Sequence, residues 1–111
     1  MKTLVLGHGK SYVPKEIRCS SLPIEDWYTQ PSISVDNDEE VKPDILYDLR
    51  KYPWTFAEDS TYDRVIDTCG LAFYRKGSYS SQFREEVMRI LTPGGSFYGF
   101  RSIVVKKPLE G

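Results

Sequence analysis

Four short stretches of this 111-residue chain carry side chains able to grip a small polar ligand: Gly7-His8-Gly9, Asp36-Asn37, Asp48-Leu49 and Asp67-Thr68-Cys69-Gly70. Each follows a short apolar run. Glycines at such a turn let the backbone approach a ligand with no Cβ in the way, and a carboxylate at Asp36 can accept hydrogen bonds from both hydroxyls of a ribose. At Asp48 a carboxylate can accept from an exocyclic amine while Leu49 packs against a base ring. Asp67 could position a substrate or take its proton.

Every one of these residues also has a plainer explanation. Gly7 and Gly9 suit a tight turn, Asp36 opens an acidic loop through Glu40, Asp48 could cap the segment from Arg50, and Asp67 could hold its own loop. Cys69 reads as a small buried residue and His8, the sole histidine, as a turn hydrogen-bonder. Taken together, three signals at three successive strand ends outline a nucleoside pocket, because ligands of open parallel α/β sheets sit beyond the carboxyl ends of the strands.

The elements that must position these residues follow from apolar period and turn punctuation. Thr3-Leu4-Val5-Leu6 is unbroken enough for a central strand covered on both faces. Further strands are expected at Ile33-Ser34-Val35, Ile45-Leu46-Tyr47 and Arg64-Val65-Ile66. From Ser81 to Leu91 the spacing of Phe83, Val87, Ile90 and Leu91 predicts an amphipathic helix, capped by Ser81 and carrying Glu85 and Arg89 four apart on its outer side. Pro93-Gly94-Gly95 is expected to stop it before a fifth strand, Ser96 to Phe100. Between Ser11 and Gln30 two prolines leave room for one short helix, Pro14 to Ser20, with Trp27 and Tyr28 capping a face of the sheet. Ile103-Val104-Val105 extends the fifth strand or forms a sixth.

Composition bounds the rest. Fifteen Lys and Arg against 16 Asp and Glu give a net charge of −1, and 40% hydrophobic with 28% charged residues describes one compact domain, residues 1–111. Nothing in that balance marks a general nucleic-acid binder, yet nucleic acid is not excluded as a partner, since the pairs Arg50-Lys51, Arg75-Lys76 and Lys106-Lys107 could meet phosphate. No apolar run approaches the roughly 20 residues of a membrane helix. Two cysteines, Cys19 and Cys69, far apart and without CxxC spacing, fit reduced thiols, so the expected location is the cytoplasm, without membrane attachment and without a metal site.

The chain resembles class I S-adenosylmethionine-dependent methyltransferases, especially the small methyltransferase-11-like members. SVDNDEEVKPDILYDLRKYPW, YDRVIDTCGLAFY and FREEVMRILTPGGSF, within Ser34 to Phe97, match that family's ribose-acid, adenine-edge, fourth-strand and RxLxPGG segments in their usual order. The resemblance implies a Rossmann-like, open, mainly parallel sheet of about five strands in the order 3-2-1-4-5, with helices on its faces; as a departure from the family, the final antiparallel pair is expected to be lacking, because only about a dozen residues follow Gly99. It also implies S-adenosylmethionine as cofactor, with Gly7, His8 and Gly9 at its methionine part, Asp36 and Asn37 at the ribose, Asp48 and Leu49 at adenine, and Asp67 and Thr68 on the methyl-transfer side. The methyl acceptor is unidentified. Ser11 stands where the family has its third loop glycine.

Three other readings compete. Gly9-Lys10-Ser11 has the ending of a P-loop, but Leu4 occupies the position of its first glycine. A nicotinamide-binding fingerprint needs a glycine where Tyr12 stands. The third keeps the fold and drops the catalysis, leaving an inactive module that binds cofactor or serves as a partner subunit. Exposed edges of so short a sheet further predict pairing with a second copy or another protein.

Overall fold

The computed structural model describes residues 2–7, 32–67, 74–75, 77–99 and 103–109. The expected helix from Pro14 to Ser20, and His8, Gly9, Trp27, Tyr28, Thr68 and both cysteines, lie outside them. The fold is α/β: a mixed, mostly parallel open sheet with, among the described residues, one α-helix.

In chain order the strands are β1 (Thr3–Leu6), β2 (Ser32–Asp36), β3 (Ile45–Leu46) and β4 (Tyr62–Asp67), then a small separate hairpin, β5 (Tyr74–Arg75) and β6 (Ser78–Tyr79). Helix α1 (Ser81–Ile90) leads into β7 (Leu91–Tyr98), and β8 (Val104–Lys106) follows. The main sheet runs β3-β2-β1-β4-β7-β8. All neighbours are parallel except β7 and β8. The sheet therefore has six strands rather than about five, because Val104–Lys106 turns back on β7 as an antiparallel edge strand.

Strand β1 lies between two partners and all four of its residues are buried, as its unbroken apolar run demands. Alternate residues point to opposite faces. Leu4, Leu6, Val35, Val65 and Phe97 join Phe83, Val87 and Ile90 of α1 in one core, while Val5 and Ile66 are buried outside that cluster. Trp54, from the segment linking β3 to β4, completes the core against Phe83, edge to face at 5.4 Å. Its indole N–H donates to the Leu49 carbonyl at 2.8 Å, so the ring is buried without an orphaned donor.

Helix α1 departs from expectation at both ends. The cap is Ser80, whose hydroxyl accepts from the Phe83 amide at 3.2 Å, and not Ser81. At the other end Leu91 is already extended (φ −74°, ψ 140°), so the helix stops before Pro93-Gly94-Gly95 is reached. Leu91 is fully buried and faces Tyr62 on β4. The Pro-Gly-Gly run lies inside the span of β7, where Tyr62 faces Leu91 and Arg64 faces Ser96, so β7 carries three more residues than β4 over this stretch. A bulge is where proline is tolerated in a sheet, since its missing N–H breaks no regular ladder there.

Arg89 likewise turns inward rather than pairing with Glu85. Its guanidinium binds Glu86 and Asp59 and donates to the carbonyls of Trp54 and Ala57. No helix among the described residues is long and apolar enough to cross a membrane.

Candidate functional site

The parallel register sets the carboxyl tips of four strands in a row. Leu6 on β1 is level with Val35 on β2 and with Asp67 on β4. One step on, the Gly7 amide donates to the Val35 carbonyl at 2.8 Å, which fixes the turn leaving β1 beside Asp36. Gly7 has φ 67°, a left-handed conformation that glycine adopts without steric cost. On the far side of Asp36, its carbonyl accepts from the Tyr47 amide at 2.9 Å, so Asp48 follows at the same rim. Gly7, Asp36, Asp48 and Asp67 therefore share one edge of the sheet.

Their side chains do not share one face. Register partners on neighbouring strands point the same way, so Asp67 points with Leu6 and Val35 toward α1. Asp36, the partner of Leu46, points to the opposite face. The rim is common and the two carboxylates flank it from either side.

Asp36 is 8% exposed, and its Oδ1 accepts from the Asp38 amide at 3.0 Å, a local turn that orders the start of the acidic loop. Asp38 in turn caps a short 3-10 turn, Glu39–Val41, by accepting from the Glu40 amide at 2.9 Å. Asn37, Glu39 and Glu40 are exposed. An open hollow of about 430 Å³ adjoins this turn, lined by Asn37, Asp38, Glu39, Glu40 and Leu46. Its wall is strongly acidic.

Asp48 is engaged within its own turn. Both oxygens accept from the Arg50 guanidinium, at 3.0 and 3.2 Å, and Oδ1 also accepts from the Arg50 amide at 3.0 Å. Those bonds hold its carboxyl below the usual carboxylate range. Leu49 is buried in the core with its carbonyl committed to Trp54. The capping role weighed for Asp48 in the sequence is thus the one its contacts describe.

Asp67 has no exposed surface, and its Oδ2 accepts from the Tyr79 hydroxyl at 2.6 Å. Sequence reasoning overlooked Tyr79, which sits in the turn-like run Gly77-Ser78-Tyr79-Ser80 ahead of the helix, although its position four residues before Phe83 continues the apolar spacing of Phe83 and Val87. Among the described residues no group of three or more His, Cys, Asp or Glu is placed to hold a metal ion. No family model, curated protein or solved structure matches the chain.

Proposed function

We propose that this chain is a minimal, Rossmann-like class I methyltransferase domain that binds S-adenosylmethionine along the rim of its parallel strands and passes a methyl group to an acceptor yet to be identified. The observation that carries this reading is the adjacency of Gly7 and Asp36, joined through the Gly7 amide and the Val35 carbonyl at 2.8 Å. Backbone free of Cβ beside a carboxylate at the end of the second strand is what a ribose and its flanking chain require. The order β3-β2-β1-β4-β7 adds support, since the resemblance implies that strand order, while the antiparallel β8 after it departs from the sheet expected from the sequence.

Charge narrows the ligand. Asp36, Asp38, Glu39 and Glu40 crowd one end of the rim, and phosphates would be repelled there while an uncharged nucleoside joined to a cationic centre would not. A nucleoside sulfonium fits those acceptors better than a nucleotide. For adenine the fit depends on Asp48 exchanging its Arg50 contacts for the exocyclic amine.

When bound, S-adenosylmethionine supplies an already activated methyl group, so the residues of the chain have to align and shield rather than to activate. Gly7 gives close backbone approach, Asp36 accepts from the ribose, and Asp67 supports the β4 tip from within. A general base is not assigned to Asp67, because a carboxylate without exposed surface does not meet an acceptor. The same burial favours a second reading, in which the module binds cofactor as a partner subunit without catalysing transfer.

Calorimetric titration with S-adenosylmethionine and S-adenosylhomocysteine, wild type against Asp36→Ala, tests both. Saturable binding that Asp36→Ala abolishes supports the pocket. Binding with no methyl transfer to broad acceptor pools selects the second reading, and no heat at millimolar ligand rejects cofactor binding altogether.

A further inference from the structure

Two carboxyl-end features, the tip of β4 and the residue after β7, meet at one hydroxyl. The Tyr79 O–H donates to Asp67 at the tip of β4 at 2.6 Å. A Cβ built on Gly99, just past the end of β7, would stand 2.8 Å from that same oxygen and 2.7 Å from the Phe97 ring. The Tyr79 ring is held in place by stacking on Phe83 at 4.8 Å and by an edge contact with Phe97 at 5.4 Å. Tyr79 is 5% exposed and Asp67 fully buried, so the bond forms out of water, where a hydrogen bond is electrostatically stronger.

We infer that Tyr79 is a positioning residue for the ligand rim: through Asp67 and the glycine gap at position 99 it sets where the tip of β4 stands relative to the Gly7 turn of β1. The inference rests on the proposed rim site but concerns a residue that does not touch the ligand. Its basis is geometric. Asp67 is level with Leu6, the residue immediately before Gly7, so a shift of the β4 tip is passed across one strand spacing to the turn on which ligand approach depends. Gly99 leaves the space that the hydroxyl fills, and the two rings fix its direction.

The experiment compares Tyr79→Phe, Asp67→Ala, the double variant and Gly99→Ala with Val87→Ala, a change at a buried core position of α1. Two measurements are made: affinity for S-adenosylhomocysteine by calorimetry, and amide hydrogen exchange at Gly7 and Asp67. Tyr79→Phe is expected to weaken affinity by up to about tenfold, the upper range for the loss of one hydrogen bond. The double variant should be no weaker than Asp67→Ala, as for residues acting through one bond. Val87→Ala should lower thermal stability while leaving affinity unchanged. Equal affinity in Tyr79→Phe and wild type, or equal loss in Val87→Ala, overturns the inference. If the wild type binds no S-adenosylhomocysteine, the cofactor reading fails, and exchange alone decides: selectively faster exchange at Gly7 and Asp67 in Tyr79→Phe, with α1 unchanged, upholds the positioning role. Unchanged or uniformly faster exchange removes it.

Discussion

Arg89 of α1 donates through Nη2 to the Trp54 carbonyl at 2.8 Å, while Glu86, one turn earlier, accepts from the Trp54 amide at 2.7 Å. The helix thus holds both backbone groups of one core tryptophan. Arg89 also reaches the Ala57 carbonyl at 3.0 Å, so a single guanidinium ties the β3–β4 connection to α1. Its partner Asp59 is 77% exposed and adds little. The Glu86 bond and the two carbonyls are the contacts that matter.

Arg89→Ala is therefore expected to lower unfolding free energy by about 2 kcal/mol, measured by urea denaturation. Arg89→Lys should recover only part of it, because an ammonium does not reproduce the planar fork that spans two carbonyls and a carboxylate. A loss within error of zero in Arg89→Ala would contradict the tie.

Glu86 sets an acid limit. Burial alone would raise its carboxyl, but the Arg89 guanidinium and the Trp54 amide outweigh burial and hold it below the ordinary value of 4.5. Since the folded value lies below the unfolded one, this contribution is fully present above pH 4.5 and is lost as pH falls through the lower folded value. Asp63 behaves alike, lowered first by the Lys2 amide. Stability measured from pH 6 downward should fall in this window, as it does for paired carboxylates in general, and the Glu86→Gln variant should show a shallower acid limb.

The bulge in β7 makes Gly95 intolerant. A Cβ there would meet the Asp63 and Thr92 carbonyl oxygens, both at 2.9 Å, and neither backbone group can swing aside as a flexible side chain would. Gly95→Ala should cost about 1–3 kcal/mol, the range for overpacking. Thermal unfolding monitored by circular dichroism checks it.

Two adjacent serines separate the cap from its neighbour. Ser80→Ala should cost about 1 kcal/mol because its hydroxyl serves the Phe83 amide, whereas exposed Ser81→Ala should stay within about 0.5 kcal/mol of wild type. Reversed effects would restore Ser81 as the cap.

Much of the sheet was legible because its strands are apolar runs closed by glycine or aspartate: Thr3–Leu6 stands where the pattern puts it, and Phe83, Val87, Ile90 and Leu91 are all 1% exposed or less. Local pattern misled where a distant partner decides. Pro93-Gly94-Gly95 reads as a helix stop, yet Leu91 leaves the helix earlier because β4 offers it a buried place opposite Tyr62. Glu85 and Arg89 have good spacing, but Trp54 draws Arg89 toward Glu86. At the rim, the tips at Gly7, Asp36 and Asp67 were legible as the polar ends of apolar runs. The face each side chain takes depends on inter-strand register, which a single chain's alternation does not contain.

That division of faces gives substitutions at the two tips different reach. Asp36 and Asp67 border the same strand tips yet answer to different neighbours, a hydrophilic loop on one flank and an aromatic cluster on the other. A substitution at the first acts on the acidic turn through the Asp38 amide, and one at the second on the packing of Tyr79 between Phe83 and Phe97. The same strand tips can thus be disturbed by two separate routes.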